Sequence, residues 1–118
     1  MNPEPEIEFL YFEDCPSHEA ALERLQTVAI EFALSPDTIR VIRVDTEAAA
    51  EQYGFPGSPT IRIDHRDIDP ASQDDPPALA CRAYRHEDGR ITALPPLPLL
   101  RQALQTALDA RSRNAPGG

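Results

Sequence analysis

An α/β sandwich, β-α-β-α-β-β-α around a thin four-stranded mixed sheet, is the architecture that the pattern of this chain calls for. Short β-branched or aromatic runs alternate with stretches whose apolar residues recur every three to four positions. A length of 118 residues with 41% hydrophobic content suits one domain with one core. Once these elements are placed, no internal repeat, low-complexity block or second domain remains.

Ile7 to Phe12 carries three aromatics and reads as a short buried strand, broken by Glu13-Asp14-Cys15-Pro16. A helix is expected from Pro16 to about Leu34. Ala21, Leu22, Leu25, Val28, Ala29 and Phe32 form its apolar stripe, and the residue before Pro36 ends it. Ile39 to Asp45 is β-branched and gives the second strand. Thr46 can cap a short helix, Glu47 to Tyr53, with Gly54 at the left-handed C-terminal position. Thr60 to Asp64 is the third strand. Residues 65–80 hold Asp67, Asp69, Asp74 and Asp75 with Pro70, Pro76 and Pro77, a surface loop that aids solubility. Ala80 to Arg85 is expected as the fourth strand, with Arg82 and Tyr84 on one face and Cys81, Ala83 and Arg85 on the other. Its arginines are expected on a solvated face, the alternative being that they hold a substrate carboxylate such as glutathione's. The turn His86–Gly89 follows, and Arg90–Ala93 can add a short edge strand. Pro95, Pro96 and Pro98 introduce a last helix with Leu97, Leu100, Leu104, Ala107 and Leu108 inward. The domain is expected to span 1–110, with 111–118 as a frayed tail.

Charge narrows the function. Eleven basic residues against 20 acidic ones leave −9, so phosphate backbones are repelled and nucleic acid is not expected as a partner. Every basic residue is arginine, which excludes Schiff-base and P-loop lysine chemistry. No 18-residue apolar run and no signal-like N-terminus appear, so no membrane partner is expected and a cytoplasmic location is.

Two cysteines are too few for a disulfide framework, so chemistry or packing must explain each. With Pro16 at the first helical position, Cys15 would be the N-cap, its sulfur facing unpaired N–H groups that favour thiolate. His18, in the same turn, would add to this as imidazolium, while Glu13 and Asp14 oppose it. Cys81 is expected as a buried strand cysteine away from Cys15. A resolving role toward Cys15 would need the 65–80 loop to fold back. Metal ligation by Cys15, His18 and Cys81 would need a convergence their spacing does not provide, so no metal and no cofactor is expected.

The layout of a buried strand, then Cys15-Pro16-Ser17-His18, then a long helix resembles the thioredoxin superfamily. It is similar to the Cys-Pro-x-Cys site of glutaredoxins with His18 in place of the second cysteine. Tyr53-Gly54-Phe55-Pro56-Gly57-Ser58-Pro59-Thr60-Ile61 is similar to the segment carrying that family's cis-proline. The resemblance implies a sheet order of 4-3-1-2 with the third strand antiparallel to the rest. It also implies a cis Pro59 beside Cys15, and a substrate site at Ser58, Pro59 and Thr60 where the Ser58 backbone pairs with an extended substrate. Asp14-Cys15-Pro16, Gly57-Ser58-Pro59-Thr60, the Asp-rich loop and Cys81-Arg82-Ala83-Tyr84-Arg85 resemble a small group of bacterial thioredoxin-like proteins and selenoproteins. Some of these are labelled alkylmercury lyase-like.

The implied activity is monothiol thiol–disulfide exchange. Cys15 would attack a disulfide (protein or glutathione), a peroxide or another electrophile, with His18 assisting and an external thiol or Cys81 resolving the mixed disulfide or sulfenate. The alternatives are a redox-inactive thioredoxin-fold module that binds a peptide or a thiophilic metal, and organomercury cleavage.

Overall fold

The structure, a computed structural model, describes residues 5–70 and 75–113. Strand β1 (Ile7–Tyr11) pairs in parallel with β2 (Ile39–Arg43) and antiparallel with β3 (Thr60–Ile63). A two-residue strand β4 (Arg66–Asp67) pairs antiparallel with β3, giving the order β2-β1-β3-β4 with β3 opposed to the other three. Order and directions are those the resemblance implies, but the fourth place belongs to a different segment. After β3 the chain reverses at once through Asp64 and His65, at φ of 51° and 68°, and pairs with itself. The expected fourth strand over Ala80–Arg85 is therefore corrected. Only Tyr84–Arg85 (β5) forms a strand, and its partner is Ile91–Thr92 (β6) in a separate hairpin closed by Gly89, while Cys81 makes a single isolated bridge.

Three helices cover the sheet: α1 (His18–Glu31), α2 (Glu47–Tyr53) and α3 (Leu97–Arg113). Alternation in β1 sorts the core onto two faces. Ile7 and Phe9 pack with Ile61, Ile63 and the α1 stripe of Ala21, Leu25, Val28 and Ala29, and Leu100 and Leu104 of α3 close this cluster. Leu10 points the other way, onto Val44, Ala50 and Phe55 beside α2. Burial of each such Leu or Ile is worth ~1.5–3 kcal/mol, and this fixes the register of β1.

Helix ends follow local chemistry. The Thr46 hydroxyl accepts from the Ala49 N–H at 3.0 Å, and Gly54 takes the left-handed position at φ +58°. Helix α1 stops at Glu31, short of Leu34, because Ala33 adopts φ +60°. The boundary at 110 also moves. Helix α3 runs on to Arg113, and Arg111 forks onto Asp64 at 2.7 and 3.0 Å. Asp74 and residues 114–118 of the expected tail lie outside the described residues.

Candidate functional site

The end of β1 and the turn before β3 meet at one sulfur. After Phe12 the chain turns tightly, with the Cys15 N–H donating to the Phe12 carbonyl at 3.0 Å, and this folds Cys15 inward to 1% exposure. Opposite lies Ser58, fully buried, whose bond to Pro59 is cis. The Ser58 hydroxyl accepts from the Phe12 N–H at 2.9 Å, and its carbonyl accepts from the Cys15 thiol at 3.5 Å. Thr60 is buried too. Its hydroxyl donates to the Gly57 carbonyl at 2.6 Å and accepts from Arg82 at 3.3 Å.

Cys15 is not the helix cap that the sequence suggests. Ser17 holds that position, the His18 N–H reaches the Cys15 carbonyl in a preceding turn, and the sulfur faces Ser58 rather than the N–H groups of α1. His18 stacks its ring on Tyr11, with centroids 4.7 Å apart and planes at 25°. Among the described residues no hydrogen bond joins His18 to either sulfur.

Cys81 departs furthest from expectation. It is an exposed residue outside any extended strand, and its thiol donates to the Cys15 sulfur across 3.2 Å. The loop folds back so that Ser58 and Cys81 form an isolated parallel bridge. The Ser58 N–H donates to the Ala80 carbonyl at 2.7 Å, and the Arg82 N–H donates to the Ser58 carbonyl at 2.8 Å. Both thiols are free. Donation to Cys15, with a smaller contribution from burial, pushes the Cys81 thiol above its usual range. A bonded pair sits at about 2.05 Å, so closure needs a shift of only ~1 Å.

The expected solvated face of arginines is corrected at Arg82, and with it the purely solubilising role of Asp67. Alternation does put Arg82 and Tyr84 on one side, but that side is the interior. Arg82 forks onto Asp67 at 2.7 and 2.8 Å, with the two side chains 3% and 2% exposed. Its guanidinium also lies 4.7 Å from the Tyr84 ring centroid. Burial is the largest single influence and works against the Arg82 charge, but the Asp67 hydrogen bonds together with the Coulombic pull of Tyr84, Asp67 and Asp69 exceed it and raise the pKa. The Tyr84 hydroxyl donates to the Pro59 carbonyl at 2.7 Å, and burial pushes that phenol far above its usual range. Arg82, Asp67 and Tyr84 thus moor the Cys81 segment to β3 and β4. The signal that could have found them is a charged residue sharing a strand face with a large aromatic.

A groove of about 670 Å³ between β4 and α3, lined by Ile68, Leu99 and Ala103 among others, contains neither cysteine. Among the described residues no group of three or more His, Cys, Asp or Glu converges as metal ligands, and no helix is long and apolar enough to cross a membrane. No protein-family model matches this chain, and neither a curated protein nor a solved structure does. Its own geometry must carry the functional argument.

Proposed function

We propose that this chain is a thioredoxin-like thiol–disulfide oxidoreductase whose working pair is Cys15 with Cys81. The observation that carries the reading is two free thiols 3.2 Å apart, one buried and one exposed. Further support comes from the strand order with β3 reversed, and from the proline-bearing turn set against the buried sulfur. This replaces the monothiol scheme, in which Cys15 attacks and Cys81 resolves, by a dithiol one with the two roles exchanged according to access. Cys81 meets the substrate, and Cys15 resolves from inside.

Once the pair has lost one proton, the Cys81 thiolate attacks a substrate disulfide RSSR while the Cys15 sulfur holds the remaining proton. The Cys81–SR bond forms and RS⁻ leaves. Cys15 then yields its proton to that thiolate and attacks the Cys81 sulfur, and the second RS⁻ departs. The protein gives up two electrons and keeps the disulfide. His18 takes no part in this sequence.

Oxidised glutathione followed by peptide mass mapping tests it. The expected products are a Cys15–Cys81 disulfide in the unaltered protein and a stable glutathione adduct on Cys81 in Cys15→Ser. Cys81→Ser should react at least ~10-fold more slowly, because its one thiol is buried. If both cysteines survive with ordinary alkylation rates and no bond forms between them, the redox-inactive binding module is the better reading.

A further inference from the structure

A thiol–disulfide exchanger can act on folded or extended polypeptides or on small disulfides, and the backbone around the buried sulfur distinguishes these. An extended peptide is gripped by free N–H and C=O groups at a strand edge. Near Cys15 those groups are already committed. The Ser58 N–H goes to Ala80 and the Ser58 carbonyl accepts from Arg82, while the Phe12 N–H goes to the Ser58 hydroxyl and the Phe12 carbonyl accepts from Cys15.

Resting on the exchange reading above, we propose that residues 80–82 occupy in cis the strand-pairing position beside Cys15. The exchange is thereby confined to low-molecular-weight disulfides of the glutathione type. The chain supplies its own substrate-like strand, with Cys81 where a substrate sulfur would otherwise lie.

Two features show that this occupancy is built in. Gly57 sits at φ +142°, and a Cβ there would stand 3.2 Å from the Arg82 backbone N and Cα and 3.3 Å from the Ala80 carbonyl oxygen. The segment therefore rests directly on the glycine backbone, at a spacing a larger residue would push open. On its other flank the Arg82–Asp67 fork and the Tyr84–Pro59 bond hold it down. The outward edge of the segment offers little in exchange. Cys81 belongs to a one-residue bridge, too short to template a peptide strand. What remains reachable is the exposed Cys81 side chain, which a small disulfide can approach without any backbone pairing.

The test compares second-order oxidation rates of the reduced full chain by oxidised glutathione, bis(2-hydroxyethyl) disulfide and insulin. Both small disulfides should react faster than insulin in the unaltered chain, and freeing the two Ser58 backbone groups for a polypeptide should raise the insulin rate by up to about 30-fold. Two variants should narrow the gap by raising the insulin rate: Gly57→Val, which pushes the segment off, and Asp67→Leu with Arg82→Met, which unmoors it. Circular dichroism reports whether each is folded, and if neither folds the comparison in the unaltered chain decides alone. Equal rates for insulin and the small disulfides would overturn the substrate class while leaving the exchange reading intact. Folded variants whose insulin rate stays unchanged would likewise overturn it. Failure to react with any of the three, with no Cys15–Cys81 bond formed, would take down the exchange reading itself.

Discussion

The two sulfurs are neighbours, but the chain delivers them by different means. Cys15 arrives on regular structure: β1 lies between two paired strands, α1 follows directly, and an apolar cluster from Phe9 to Leu104 locks both in place. Cys81 arrives on a segment with almost no regular structure, between residues 75 and 85, held mainly by polar contacts: one buried ion pair, the Tyr84 phenol, two backbone bonds to Ser58 and one from Ala78 to Phe55, with Leu79 and the Tyr84 ring as its apolar anchors. Apolar packing is non-directional and tolerates small changes, whereas a polar mooring depends on each partner and fails when one is removed. The site thus pairs a sulfur set by apolar packing with one set mainly by polar contacts.

That contrast can be broken from either side. Arg82→Ala should have the largest effect, ~3–5 kcal/mol of stability, because it leaves the Asp67 carboxylate buried and unpaired. Asp67→Leu with Arg82→Met should recover most of that loss in denaturant melts, while closure of the Cys15–Cys81 bond by oxidised glutathione stays slower than in the unaltered chain. Recovery of both together would show that the pair does not position Cys81. Leu25→Ala, on the apolar side, should cost ~2–5 kcal/mol, yet the molecules that remain folded should form the disulfide at the unaltered rate. Tyr84→Phe should cost ~1–2 kcal/mol by leaving the buried Pro59 carbonyl without its donor, again measured by denaturant melts.

The smallest effect is a titration. Cys81 is held above the ordinary 9.0 mainly by donating to Cys15, so its contribution to stability is complete below that value and fades as pH rises through the folded pKa. Cys15→Ala removes the acceptor. Thiolate absorbance near ~240 nm should then appear at lower pH, and the alkaline decline in stability should flatten.

The same contrast explains what the sequence disclosed. The regular elements were legible because they are long enough to show a period or end on a cap: the α1 stripe, the β-branched β2, the Thr46 cap and the Gly54 terminator, although α1 is capped at Ser17 rather than Cys15. Strand β4 has only two residues, neither β-branched, and its pairing arises from a reversal at Asp64 and His65 that no spacing announces. The alternation over 80–85 correctly grouped Arg82 with Tyr84. Charge then argued for the wrong side, because the buried partner, Asp67, lies in a stretch whose composition reads as solvated. The approach of Cys81 to Cys15 depends on that folded-back loop, a tertiary contact across 66 positions with no local signature.

That separation also links redox state to lifetime. A covalent bond between sulfurs 66 positions apart would encircle more than half of the chain and remove ~4 kcal/mol of conformational freedom from the unfolded ensemble. The effect is reciprocal. A fold that gains this much from the bond returns it as resistance to reduction, on the order of 90 mV for a two-electron couple relative to the same cysteines in an unfolded chain. The oxidised molecule would therefore survive heat and proteases that clear the reduced one, and abundance itself would follow the thiol balance of the surroundings.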